Sequence, residues 1–273
     1  MPPKVYLNGH EVSPTQGLEL LQDEAVGIFE TMRVWNGKIL HEEDHLQRLL
    51  ESARTVGYRP LPELLKIRGE VRKALRASGE QNTSARVTLC GGKTFVILGA
   101  RGVPKALYKT GVQLRTASFP RGGDNAFPYQ VKAAAYQQAV LATAGSDPGE
   151  VFDWLFLDRG GLLTETRVGN FFLVTYAGPD RCPSSKVLLR TPSESLILNG
   201  VVRRFVIKCA REMGYRVLEA PLSRHDFFNA DEAFLTNTSW EILPVRALDG
   251  RMIGVKVPGP VTRKIHSFYR RRI

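Results

Sequence analysis

An α+β fold is what this sequence predicts, and three observations carry the prediction. Strands in the N-terminal region come in pairs joined by tight two-residue turns. Two amphipathic helices sit between those pairs. The remainder alternates apolar strands with further amphipathic helices.

The elements follow in order. The opening VYLNGHEV reads as two strands around Asn8-Gly9, and GIFETMRVWNGKIL (27–40) as a second hairpin around Asn36-Gly37. In the second, Phe29, Thr31, Arg33 and Trp35 share one face and Met32 and Val34 the other. In HLQRLLESARTVG (45–57), Leu46, Leu49, Leu50, Ala53 and Val56 recur at helical spacing, and Gly57 closes the helix. A second helix over 62–78 buries Ile67, Val71, Ala74 and Leu75. Strands over 84–90 and 94–100 flank Gly91-Gly92, and another strand spans 111–118. The Gly- and Pro-rich stretch 119–128 reads as a connector. We therefore expect a small N-terminal domain over 1–107 and a larger one over 108–273.

Beyond the connector the sequence predicts a helix over 133–145, strands over 153–158 and 170–176, and a polar loop. A helix over 200–214 follows, with Val202, Phe205, Val206, Cys209 and Met213 on one face. Strands over 215–220 and 232–237, a hairpin at Leu248-Asp249-Gly250 and a basic helix over 259–271 complete the chain.

Composition limits the function classes. The 273 residues are 43% hydrophobic and 24% charged, ordinary for a globular protein with a substantial core. No apolar run approaches the roughly 20 residues of a membrane span, and the N-terminus lacks a signal-peptide stretch, so a cytoplasmic protein is the default. Cys90, Cys182 and Cys209 are scattered outside any metal-ligand spacing and read as reduced, mostly buried thiols. The net charge of +11 is spread along the chain without interleaved aromatics, so we expect no nucleic-acid partner and a basic surface suited to anionic small molecules.

Two residues stand out for chemistry. Lys132 stands in the run VKAAAYQQAVLA (131–142), at the edge of a helical pattern, with three alanines after it. Glu165 stands in LLTETRVGNFFLV (162–174), just past a tight turn. An amine able to form an imine and a carboxylate able to hold a pyridinium proton are what pyridoxal 5'-phosphate asks of a protein. A phosphate site is offered by the free amides of Gly200, Val201 and Val202 at a helix start. Arg48 projects off its helix's apolar stripe, able to bind phosphate or to be solvated. TNTSWE (236–241) supplies strand-end hydroxyls and amides, among them Thr238.

Taken together, these residues resemble the class IV, or fold-type IV, pyridoxal-phosphate-dependent aminotransferases. That group includes branched-chain and D-amino acid aminotransferases and 4-amino-4-deoxychorismate lyase. GIFETMRVWNGK (27–38), HLQRLLESA (45–53), the lysine run, TETRVGNFFLV, LNGVVRR (198–204) and FLTNTSWEILPV (234–245) occur in the family's order and near its spacings. The resemblance implies two lobes, a small α+β N-terminal domain and a larger β-barrel-like one, and a homodimer.

It also implies roles. Lys132 is similar to the Schiff-base lysine and Glu165 to the partner of the pyridine nitrogen. Arg48, the amides of Val201 and Val202, and Thr238 are similar to the phosphate ligands. Tyr136 resembles a tyrosine at the cofactor's phenolate oxygen. Phe29, Arg86, Ser239 and Trp240 fall at the substrate pocket. Val202 stands where branched-chain enzymes usually carry threonine, and Ser239 and Trp240 where they carry small residues. The Arg-x-His clamp of D-amino acid enzymes does not follow Gly91-Gly92. The implied activity is transfer of an amino group between an amino acid, branched-chain L-amino acids first, and a 2-oxo acid. Pyruvate elimination by an aminodeoxychorismate lyase and D-amino acid transamination are the alternatives.

Overall fold

The structure is a computed structural model that describes residues 3–22, 27–99, 102–120, 130–133, 151–177 and 186–273. The chain forms two compact units, Met1–Gly102 with Val131–Ala139, and Val103–Gln130 with Val140–Ile273.

In the first unit, β1 (Lys4–Leu7), β2 (His10–Val12), β3 (Ile28–Trp35), β4 (Lys38–Ile39), β5 (Thr83–Cys90) and β6 (Lys93–Gly99) form one antiparallel sheet. Its order is β2-β1-β6-β5-β3-β4. Asn8 and Gly9, like Asn36 and Gly37, all have positive φ, which two-residue turns matching the strand twist require. A short helix α1 (Pro14–Gln22) follows β2.

Helices α2 (Glu42–Thr55) and α3 (Leu64–Ser78) cover the sheet. Their expected stripes are buried: Leu46, Leu49, Leu50 and Ala53 on one, Ile67, Val71, Ala74 and Leu75 on the other. Helix α2 starts at Glu42 rather than 45, and Glu42, Glu43 and Asp44 fill its first turn, where carboxylates complement the helix dipole.

The second unit holds a mixed sheet of nine described strands. They are β7 (Val112–Thr116), β8 (Asp153–Leu157), β9 (Leu163–Thr166), β10 (Asn170–Ala177), β11 (Lys186–Thr191), β12 (Arg216–Glu219), β13 (Glu232–Asn237), β14 (Glu241–Leu248) and β15 (Arg251–Met252). The order is β12-β11-β10-β13-β14-β7-β8-β9, with β15 on β14. Strand β9 ends the row, yet only three residues separate it from β10, near the other end. That short link, closed by Thr166 N–H to Gly169 O at 2.9 Å, makes the sheet curl into a half-barrel.

Strand β10 explains why its sequence is an apolar run without alternation. Phe171 and Leu173 enter one core with Leu114, Leu155, Phe227, Leu235 and Leu243. Phe172 and Val174 enter another, beneath α5 (Val201–Glu212) and α7 (Pro260–Arg270). A strand covered on both faces has no polar side to show.

Several described elements depart from expectation, the short helix α1 among them. Residues read as a polar loop include β11, whose KVLLRT core pairs with β10 and, in parallel, with β12. Helix α6 (Arg224–Phe228) is also absent from the sequence reading; Ser223 and Asp226 form its capping box. A further short helix, α4 (Leu107–Thr110), precedes β7. Cys90 and Cys209 are buried thiols outside any disulfide, as expected, while Cys182 lies outside the described residues. Among the described residues no helix is long and apolar enough to cross a membrane.

Candidate functional site

The first unit builds a charged cluster around Glu30. Glu30 lies on β3 between Ile28 and Met32, facing inward, and is fully buried. Arg48 and His45 come from α2, three residues apart and so on one helical face. Arg48 donates from Nε to Glu30 Oε1 at 2.7 Å and from a terminal nitrogen to Oε2 at 2.8 Å. His45 Nδ1 lies 2.8 Å from the same Oε2. Helical spacing left Arg48 off the apolar stripe, able to bind phosphate or to be solvated; the structure buries it against Glu30. Arg48 is 6% exposed, because α2 packs on β3 opposite a buried carboxylate that matches its planar fork.

Lys132 belongs to the same cluster. Phe29 N–H donates to Lys132 O at 3.0 Å, and Ala133 bridges Ile28. These backbone ties leave Lys132 Nζ 4.0 Å from Glu30 Oε2, with the lysine side chain 22% exposed. Two cations lie over the Phe29 ring, with Arg86 Cζ 3.7 Å and Lys132 Nζ 5.2 Å from its centroid.

Charge compensation decides the ionisation here. Burial pushes the Glu30 carboxyl up, but Arg48, Lys132 and His45 outweigh it and hold it well below the usual carboxylate range. For His45 burial wins over Glu30's attraction, and its pKa is pushed down to about 4. The imidazole is therefore neutral near pH 7, its Nδ1–H donating to Glu30.

The sign for stability follows. Between the unfolded histidine value of about 6.5 and the folded value, only the unfolded chain takes up the proton, so acid favours unfolding. His45→Gln retains a donor but does not titrate. Urea unfolding at pH 7 and pH 5 is expected to show a larger loss in the wild type than in the variant; equal losses would show that His45 takes up the proton in the fold as readily as in the unfolded chain.

The second unit builds a polar cluster around Glu165 on β9, which is 6% exposed. Its Oε2 accepts from Asn170 Nδ2 at 2.7 Å and its Oε1 from Leu198 N–H at 3.2 Å. Leu198 begins the approach to α5, whose N-cap Gly200 offers no side-chain cap. The first-turn amides of Val201 and Val202 thus have no intrahelical partner, the property that makes helix starts bind anions. Gly200 is required by proximity: a Cβ there would lie 2.1 Å from Asn170 Oδ1. Arg203, 1% exposed, ties the start of α5 to the preceding loop through Thr191, Pro192 O and Asn199, and to Glu219.

Thr238 and Ser239 occupy the turn between β13 and β14, half-buried, with Ser239 N–H donating to Asn237 Oδ1 at 2.7 Å. Trp240 is 5% exposed within the half-barrel core; it lies edge-on to Phe152, and its ring reaches within 2.9 Å of where a Cβ on Gly169 would stand. Tyr136 lies outside the described residues.

The structure therefore brings Lys132, Arg48, Phe29 and Arg86 together in one unit, and Glu165 with residues 198–202 in the other. Sequence reasoning missed Glu30, His45 and Asn170. A charged residue on the buried face of β3 was the available signal for Glu30. For Asn170 the signal was a polar residue opening an otherwise apolar strand.

Comparison with known proteins agrees with this architecture. A model of the family "Amino-transferase class IV" matches residues 27–248. A Methanocaldococcus jannaschii protein with the provisional name branched-chain-amino-acid aminotransferase is 30% identical over 98% of this chain and 95% of its own length. The branched-chain-amino-acid aminotransferase of Pseudomonas aeruginosa is 27% identical over 89% of this chain and 83% of its own. The D-alanine aminotransferase of Bacillus licheniformis is 24% identical over 97% and 95%.

Among solved structures, a branched-chain amino acid aminotransferase with pyridoxamine 5'-phosphate superposes with a TM-score of 0.84 at 22% identity, covering 98% of this chain and 92% of that one. The Thermoproteus uzoniensis branched-chain aminotransferase with norvaline gives 0.80 at 26%, covering 98% and 93%.

Proposed function

The chain belongs to the class IV amino-transferase family, and from that premise we propose that it transfers the amino group of a branched-chain L-amino acid to a 2-oxo acid with pyridoxal 5'-phosphate as cofactor. The observation that carries this reading is Lys132. It is a partly exposed lysine, anchored by its backbone to β3 and held 4.0 Å from a fully buried carboxylate.

The residues fit the cofactor. Glu165 presents a carboxylate already oriented by two N–H donors, the state suited to a ring N–H. The uncapped start of α5, where a Cβ at Gly200 would collide with Asn170, suits a phosphate. In this reading Thr238 adds a hydroxyl to that phosphate site, while Arg48 in the first unit and Tyr136 are cofactor-ligand candidates by the family resemblance alone.

When bound, the cofactor supplies an electron sink for the charge that develops at the substrate Cα. The chain does the rest. Lys132 would take the Cα proton of the donor as base and hold it for return as acid. Glu30, ionised, stabilises the ammonium form of Lys132 while it holds that proton. Glu165 keeps the ring nitrogen protonated. Phe29 and Arg86, whose Cζ lies 3.7 Å from the ring centroid, are the substrate-pocket candidates of the first unit in this reading, the guanidinium suited to a donor carboxylate. Ser239 and Trp240, in the second unit, are substrate-pocket candidates by the family resemblance in this reading, and the working form is a homodimer.

The test is a half-reaction. Mixing the holoprotein with leucine, isoleucine or valine and no acceptor should convert the cofactor to its amine form, read as a loss of its visible band. No change with any amino acid would overturn the reading and favour the lyase; a response to D-amino acids alone would overturn the donor assignment. Glu165→Gln should retain the cofactor but slow this half-reaction about 10²-fold or more, since the ring nitrogen loses its ionised partner. An unchanged stopped-flow rate would show that another group serves the nitrogen.

A further inference from the structure

We propose that Asn170 is a positioning residue whose single carboxamide fixes both the Glu165 carboxylate and the backbone leading into α5, so that the ring-nitrogen end and the phosphate end are set by one group. The inference rests on the assignment of Glu165 and Gly200–Val202 made above.

The geometry is a closed ring of hydrogen bonds. Asn170 Nδ2 donates to Glu165 Oε2 at 2.7 Å and to Leu198 O at 2.9 Å. Leu198 N–H closes the ring on Glu165 Oε1 at 3.2 Å. Both hydrogens of the amide are thereby engaged, one at each end of the arrangement. The amide orientation is dictated by chemistry, because turning it over would set Oδ1 against a carboxylate and a carbonyl, two acceptors. Oδ1 instead lies against Gly200, close enough that any side chain there would collide with it.

Asn170 is 5% exposed and Glu165 6%, so water is a poor substitute for either contact. Asn170 is also the first residue of β10, paired with Thr236 of β13, so the strand backbone is held while the side chain spans the two ends.

The roles separate experimentally with Asn170→Ala, the near-isosteric Asn170→Asp, Glu165→Gln and the Glu165→Gln/Asn170→Ala double variant. Three quantities are read: the half-reaction rate, the ratio of dissociation constants for pyridoxal 5'-phosphate and unphosphorylated pyridoxal, and the thermal stabilisation of cofactor-free protein by inorganic phosphate. Asn170→Ala should slow the half-reaction about 10–100-fold, as loss of a supporting hydrogen bond to a working carboxylate does. It should also lower the preference for the phosphorylated cofactor and the stabilisation by phosphate. In the Glu165→Gln background its effect on rate should shrink, while the effect on phosphate persists. Asn170→Asp keeps the shape but sets carboxylate against carboxylate, and should show both losses if Asn170→Ala does not fold.

Wild-type rate and wild-type phosphate preference in both variants would overturn the proposal. So would a full, additive rate loss in the Glu165→Gln background, since Asn170 would then not act through Glu165. A wild-type rate in Glu165→Gln alone would instead overturn the underlying assignment of Glu165.

Discussion

Lys132→Ala is expected to abolish transamination, lowering the half-reaction rate by about 10⁴-fold or more, and to leave the protein folded. The rate follows from chemistry: without the amine there is neither a covalent anchor for the cofactor nor a base at Cα, and base catalysis alone is worth about 10²–10⁴-fold. The fold should persist because Glu30 keeps Arg48 and His45 as partners, with contacts of 2.7 to 2.8 Å against 4.0 Å for Lys132. Absorbance of the holoprotein and a circular-dichroism melt check the two halves. Loss of the visible band with an unchanged melt is the expected pair; a variant that still transaminates at the wild-type rate would remove the basis of the functional reading.

Glu30→Ala should instead cost stability, about 3–5 kcal/mol, because it strands the buried Arg48 guanidinium without a counter-charge. Urea unfolding measures it. A loss below about 1 kcal/mol would mean that water reaches Arg48 once Glu30 is gone. Glu30→Leu with Arg48→Met makes the argument sharper. Removing both charges removes the desolvation cost, so much of the stability should return. Affinity for pyridoxal 5'-phosphate should not return, since the guanidinium proposed to hold its phosphate is absent. Recovery of both would show Arg48 to be structural only.

These two experiments probe parts of the molecule that were unequally legible. The hairpins at Asn8-Gly9 and Asn36-Gly37 were readable because the turn type is encoded in two adjacent residues. The buried stripes of α2 and α3 were readable because they recur every three or four residues. Strand β11 was not readable. It is six residues of weak pattern whose place depends on β10 on one side and β12 on the other. Helix α6 is five residues long and held by its cap rather than by periodicity.

The same division runs through the candidate site. Lys132 and Glu165 were visible as residue types suited to a chemistry, and the matching family motifs fixed their context. Arg48 was visible as an arginine off the stripe and as a match to the family's phosphate ligand; its burial depends on a carboxylate 18 positions earlier in another element. Glu30 and Asn170 left only the signal of a polar residue in an apolar strand, and His45 none, because their partners lie in other elements.

By itself the sequence determined the α+β class, the order of most elements, the family, and the amine and carboxylate proposed to carry the chemistry. Those properties are local or compositional, so they survive in a linear string. The tertiary structure alone decided that Arg48, His45 and Lys132 converge on Glu30, and that Asn170 joins Glu165 to the start of α5. Hydrogen bonds and buried ion pairs act within about 3–4 Å and with strict direction, so their partners are fixed only when distant segments are packed together.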